Sequence, residues 1–122
     1  MGCGCPKCSS SHGEQEVSIV LDSLKVKYLY QVPLNNPYEE NKRFILDFYI
    51  PEYKLIIEYN GRQHYEPVDY FGGEEQFRKQ VERDNDLRKY CKENNFKLLE
   101  IKYTENVKDK IINFIENCRA LE

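Results

Sequence analysis

The sequence has no apolar run that approaches the roughly 20 residues needed to span a bilayer. It also has no basic segment leading into a short apolar stretch, the mark of a secretory leader. An intracellular, cytoplasmic setting is therefore the default expectation, with no membrane partner. The cysteines do not form an even set. Cys3, Cys5, Cys8, Cys91 and Cys118 are five in number, and an odd count without a secretory signal argues against a disulfide framework. Internal repeats and low-complexity tracts are absent. So is the basic excess with which a stand-alone nucleic-acid binder displaces counterions, because the net charge is -3. Either DNA is not the partner, or this domain cuts DNA while another part of the protein holds it. Carboxylates gathered in a metal site would also make a nuclease domain acidic.

What is present suits one soluble globular domain: 122 residues, 40% hydrophobic and 32% charged. Residues 1–12 (MGCGCPKCSSSH) read as a Cys-rich knuckle or linker, and residues 13–122 as the folded domain. Val17, Val20, Leu21 and Leu24 recur at helical spacing over Glu14 to Leu24. KVKYLYQVPL reads as a strand and NNPYEEN as a turn. RFILDFYI and KLIIEYN form two further strands around Pro51-Glu52-Tyr53, which predicts an antiparallel meander. GRQHYEPVDYFGG is a loop. A long helix is expected over about Glu74 to Asn95, KLLEIKY is a fourth strand, and Asn106 to Leu121 is an amphipathic helix carrying Val107, Ile111, Ile112 and Ile115. The order is αβββαβα. Cys91 and Cys118 fall in helical patterns and read as small core hydrophobes.

The informative residues are polar ones where the pattern expects apolar ones. Asp47 interrupts Phe44-Ile45-Leu46-Asp47-Phe48-Tyr49-Ile50, and Glu58 interrupts Leu55-Ile56-Ile57-Glu58-Tyr59. A strand interior disfavours such residues, and an unpaired buried carboxylate is costly. One alone reads equally well as a solvent-facing position. Two at the same end of neighbouring strands repel each other unless a cation lies between them, and hard oxygen ligands suit Mg²⁺. At about 100° per residue, Phe77, Val81, Asp84, Arg88 and Cys91 share a helix face, and Asp86 lies opposite. Asp84 then either forms a buried salt bridge to Arg88, one turn away, or reaches the same site as Asp47 and Glu58. His64 follows Gly61-Arg62-Gln63 where the strand runs out, a place where scaffolds put reactive groups. With a pKa near neutrality it could activate water or protonate a leaving oxygen. Glu14 lies one turn before Val17, roughly in line with the packing face, although an acid in a first turn also favours the helix dipole.

These residues resemble the PD-(D/E)XK restriction-endonuclease-like superfamily. The likeness is an αβββαβ core with D-x(10)-E-x-N at Asp47, Glu58 and Asn60. Asn60 replaces the usual final Lys. The chain is more similar to two subgroups that depart in this way, the very-short-patch mismatch repair endonucleases and the phage homing endonucleases with the residue set E-D-x-H-D. The matching positions are Glu14, Asp47, Gln63-His64 and Asp84. The strings that carry the likeness are RFILDFYIPEYKLIIEYNGRQHY and FGGEEQFRKQVERDNDLRKYCKENNFKLLEIKY, and it covers residues 8 to about 104.

The resemblance implies an α/β (α+β) fold with a mixed four-stranded sheet flanked by helices. It implies a metal-dependent endonuclease acting on double-stranded DNA. Asp47, with Glu58 or a backbone carbonyl, would hold Mg²⁺, with Mn²⁺ substituting. His64 would act as base or phosphate donor, and Asp84 and Glu14 would orient His64 or a second, hydrated metal. Arg62, Arg83 and Arg88 are candidate phosphate contacts. Homing-type, site-specific cleavage is the first expectation. A mismatch-nicking enzyme would need wedge residues, for which only Tyr65, Tyr70 and Phe71 offer themselves. An inert nuclease fold used as a binding module is the third reading, and the intact acids argue against it. A monomer has one active site, so double-strand cleavage implies a homodimer or two successive nicks. Cys5-Pro-Lys-Cys8 is a knuckle of the zinc-ribbon kind. A second pair does not follow, so it reads as the tail of an upstream zinc module, in preference to a tight Zn²⁺ site of Cys3, Cys5, Cys8 and His12. Affinity for DNA would then come from a separate module.

Overall fold

The computed structural model describes residues 12–61 and 73–121, without the side chain of His12. The N-terminal cysteines, Arg62, Gln63, His64 and the aromatic residues of the following loop lie outside the described residues. Helix α1 spans His12–Ser23, so the helix takes in a residue that the sequence reading left in the linker. Val17, Val20 and Leu21 form its buried stripe. Lys25, with φ 60°, reverses the chain in the left-handed region. Strand β1 therefore starts later than the β-branched pattern suggested, and runs Leu29–Asn35. Strand β2 is Arg43–Ile50. A short 3₁₀ turn at Pro51–Tyr53 leads to β3, Leu55–Asn60, which is buried almost throughout. Helix α2 spans Gly73–Glu93, β4 spans Lys97–Lys102 and helix α3 spans Val107–Ala120. Asn106 caps α3 by accepting the Asp109 N–H at 2.9 Å. The expected order and the mixed four-stranded sheet are both found. The sheet order is β1-β2-β3-β4; the first three strands are antiparallel and β4 runs parallel to β3.

Each face of the sheet carries its own core. Under α1 and α3 lie Phe48, Ile50, Leu55, Ile57, Ile101 and their partners. Under α2 lie Phe44, Leu46, Ile56, Leu87 and Cys91. Cys91 and Cys118 are both buried free thiols, as their helical positions implied. On α2 the helical period predicts Arg88 in the packing stripe. The structure buries Leu87 there instead and leaves Arg88 exposed at the rim, because the longer charged side chain can reach water from the stripe's edge.

Strands β1 and β2 change face midway. Tyr30, Phe48 and Ile50 pack toward α1 and α3, whereas Val32, Leu34, Phe44 and Leu46 pack toward α2. Even-numbered residues on one continuous strand do this only if the pleat is broken between them. The break falls at Gln31 and Asp47, where the β1–β2 ladder skips from Tyr30↔Phe48 to Val32↔Leu46. Gln31 has φ 51°, a left-handed conformation that is uncommon for a non-glycine residue in a strand.

Candidate functional site

Asp47 and Glu58 stand where β2 and β3 part. The two strands pair at Phe48↔Ile57, Tyr49↔Ile56 and Ile50↔Leu55, and the ladder stops there. At the next position the carboxylates take over the role of the ladder. The Asp47 N–H donates to Glu58 Oε2 at 2.8 Å, and the Tyr59 N–H donates to Asp47 Oδ2 at 2.9 Å. Beyond this reciprocal pair β2 continues with β1 alone and β3 with β4 alone. Each acid thereby satisfies a backbone donor that strand separation would otherwise orphan.

Helix α2 closes the site from one face. Asp84 sits in the middle of its buried stripe, only 7% exposed, and Glu58 is 3% exposed. Arg83 joins them. Its Nη1 donates to Glu58 Oε1 at 2.8 Å and to Asp84 Oδ1 at 3.3 Å, and its Nη2 donates to the Ile45 carbonyl at 3.0 Å. The guanidinium also lies 5.8 Å over the ring of Phe44. Gln80, one turn earlier, donates to Asp84 Oδ1 at 2.9 Å. Arg88 is committed elsewhere. It forks onto both oxygens of Glu100 at 2.8 Å, so the salt bridge that accompanies Asp84 is made by its immediate neighbour Arg83.

Glu14 approaches from α1. Its Oε1 accepts the Tyr30 hydroxyl at 3.1 Å, and it lies near enough to raise the pKa of Asp47. The start of α1 can come this close because residue 13 is glycine: a Cβ there would collide with the ring of Tyr59. Asn60, at the position of the usual lysine, is buried and donates to Glu100 Oε1 at 3.2 Å, while its carbonyl accepts the Tyr103 N–H at 2.9 Å. Its place is structural, tying β3 to β4.

The electrostatics follow from this crowding. Burial, then the neighbouring charges of Glu58 and Glu14, push Asp47 up to about 8, against the pull of the Tyr59 N–H. Burial likewise raises Glu58, tempered by Arg83 and by the Asp47 N–H. Burial alone would lower the pKa of Arg83, but Glu58 and Asp84 hold it above the usual value. Among the described residues no three His, Cys, Asp or Glu side chains form a ready-made metal cluster.

Of the predicted site residues, Asp47, Glu58 and Asp84 come together with Arg83, and Glu14 stands close by. Gln63 and His64 lie outside the described residues. Asp86 is on another face, as expected, and accepts Asn36 Nδ2 at 3.0 Å. Gln80, Tyr30, Gln31 and Glu100 take part here without being expected from the sequence. Gln80 was legible, four residues before Asp84 and thus on the same face. The left-handed Gln31 carried no signal.

Three viral proteins resemble this chain. Uncharacterized protein 307L of Invertebrate iridescent virus 6 is 41% identical over 78 residues, 63% of this chain and 39% of that protein. Uncharacterized protein 094L of Frog virus 3 (isolate Goorha) is 50% identical over 66 residues, 52% of this chain and 41% of that protein. Uncharacterized protein 033L of Invertebrate iridescent virus 3 is 36% identical over 107 residues, 84% of this chain and 55% of that protein. The chain thus spans about half the length, or less, of the curated relatives it matches. No family model and no solved structure matches it.

Proposed function

We propose that this chain is the catalytic domain of a metal-dependent DNA endonuclease, built on a restriction-endonuclease-like core and acting within a longer protein. The observation that carries the reading is the reciprocal Asp47–Glu58 pair at the point where two strands separate. Each acid satisfies one backbone N–H at this break, yet a neutral amide would do as much without the cost of enclosing charge; burial, followed by repulsion from Glu58 and Glu14, raises Asp47 to about 8. A divalent cation would relieve that repulsion and displace the proton.

The donor set fits Mg²⁺. This ion is commonly held by one or two carboxylates and otherwise by water and substrate phosphate, so Asp47 and Glu58 suffice from the protein. When bound, the metal would neutralise charge on the scissile phosphate and activate water. The chain's own groups supply the remainder. Arg83, already drawn toward Glu58 and Asp84, offers donors to a phosphate oxygen. Asp84, anchored by Gln80, orients that guanidinium. Glu14, held by Tyr30, adds to the negative charge around Asp47. His64, carried over from the resemblance, is the proposed general base or phosphate donor. Because the site uses no lysine at Asn60, cation chemistry at the phosphate falls to Arg83. Homing-type cleavage of double-stranded DNA is the substrate class the residue set suits best.

The test is nicking of supercoiled plasmid with Mg²⁺ or Mn²⁺, with chelator and Asp47→Ala as controls. Metal-dependent nicking lost in Asp47→Ala supports the reading. If neither nicking nor calorimetric Mn²⁺ binding is seen, or if either survives Asp47→Ala unchanged, the metal-centre reading fails.

A further inference from the structure

A second feature opens beside the carboxylates. A groove of about 360 Å³ runs between the turn joining β1 to β2 and the first half of α2. Lys42, Arg43, Lys79 and Arg83 line it, against Glu39 and Glu82. Arg83 already offsets Glu58 and Asp84, so the uncommitted positive charge of the groove is carried by Lys42 and Arg43, in a chain whose net charge is -3. Lys42 and Arg43 are exposed and have no ion-pair partner among the described residues. Among the described residues Lys79 makes only an exposed contact with Glu75, at 3.8 Å.

The walls are fixed before any ligand arrives. Asn36 ties the turn to Asp86 of α2, Tyr38 donates to Glu93, and Lys89 lies 4.5 Å over the Tyr38 ring. At its inner end the groove reaches Gln80 and Arg83, the residues that hold Asp84 and Glu58.

We propose that this groove is the track for the sugar–phosphate backbone of the DNA strand, seating a phosphate at Arg83 beside Glu58. The inference rests on the endonuclease reading and adds to it the surface that positions the substrate. Lysine and arginine side chains on a rigid wall suit sequence-independent phosphate contacts, which position a strand without reading its bases. Such contacts supply modest affinity, which agrees with a domain that relies on a separate module for specificity.

The experiment is fluorescence anisotropy of a labelled DNA duplex in EDTA, titrated with the full chain and with the Lys42→Ala/Arg43→Ala/Lys79→Ala variant. A control of equal charge change, Lys27→Ala/Lys92→Ala/Lys108→Ala, alters exposed residues away from the groove. Starting at about 50 mM salt, the groove variant should bind roughly tenfold or more weakly, and its salt slope should fall by about 2–3. The control should behave as the unaltered chain. No binding by the unaltered chain up to about 100 μM, the weak end of non-specific affinity, overturns the proposal, as do equal losses in both variants. Plasmid nicking separates the two readings. Nicking abolished by Asp47→Ala but untouched in the groove variant leaves the endonuclease standing without this track. Groove-dependent binding with neither nicking nor calorimetric Mn²⁺ binding by any form leaves a DNA-binding groove and ends the catalytic reading.

Discussion

On the side of α1 and α3 the sheet buries Phe48, Ile50, Leu55, Ile57 and Ile101, and the buried polar residue there, Ser18, bonds back to its own helix at Gln15. On the side of α2 it buries Phe44, Leu46, Ile56 and Leu87 together with Glu58, Asn60 and Asp84. The first face is held by area removed from water. The second is held by area and by charges whose burial is unfavourable unless each finds its partner. No buried side-chain nitrogen or oxygen among the described residues lacks one. A fold can tolerate such a face because the other face supplies stability without it. The contrast teaches where stability and function separate: substitutions on the two faces should differ in how their effects depend on pH and metal.

The largest effect sharpens that difference. Phe48→Ala leaves a cavity in the apolar core and should cost about 3–5 kcal/mol at every pH. Arg83→Met should cost a similar amount, about 3–5 kcal/mol at pH 8, because it strands Glu58 as a buried charge. The second loss should be smaller at pH 5 than at pH 8, because the burial of Glu58 favours its protonated form. Urea denaturation of both variants at the two pH values checks this. A loss in Arg83→Met that does not change with pH would mean the α2 face is an ordinary packed core.

Asp47→Asn should have the opposite sign. The folded state raises the Asp47 pKa to about 8, above the unfolded value of about 3.9. The folded protein therefore binds the proton more tightly than the unfolded chain. The resulting stability is complete below about pH 4 and is lost as pH rises toward 8. Asparagine keeps an oxygen for the Tyr59 N–H and carries no charge, so the variant should gain on the order of 1 kcal/mol at pH 8 and lose most of the decline between pH 5 and 8. Nicking should vanish in the same protein. Urea midpoints across that range provide the measurement; a variant less stable than the parent at pH 8 would contradict the burial and repulsion argued for Asp47.

How much of this was legible in the sequence varies by element. The meander, the long helix and the amphipathic last helix announce themselves by period, and Asp47, Glu58 and Asp84 by breaking it. The face change at Gln31 and Asp47 was not legible. Phe44, Leu46, Phe48 and Ile50 alternate without interruption, and a pattern of period two records only which residues are buried, not under which helix. Arg83 was visible as one of three candidate arginines. Its selection required the crossing of α2 over the end of β2, a tertiary fact. The choice of Leu87 over Arg88 for the core follows from the same crossing. Cysteine knuckle and His64 stay at the level of resemblance, because both lie outside the described residues.

The smallest effect comes from two acids on one helix. Asp84 and Asp86 are two residues apart on α2, yet one faces the carboxylates and the other the turn between β1 and β2. Asp84→Asn keeps an oxygen for Arg83 and Gln80, so the fold should change little while nicking is lost. Asp86→Asn also keeps an acceptor for Asn36, and should lose only about 0.5–1 kcal/mol, the difference between a charged and a neutral partner. Nicking should persist, because asparagine still holds Asn36 and so the wall of the groove, and the strand-separation site is untouched. Thermal unfolding and plasmid nicking on the two variants read both quantities. If Asp86→Asn abolished nicking as Asp84→Asn does, the site would extend across the helix to the turn, and the chemistry could not be assigned to the α2 face of the sheet alone.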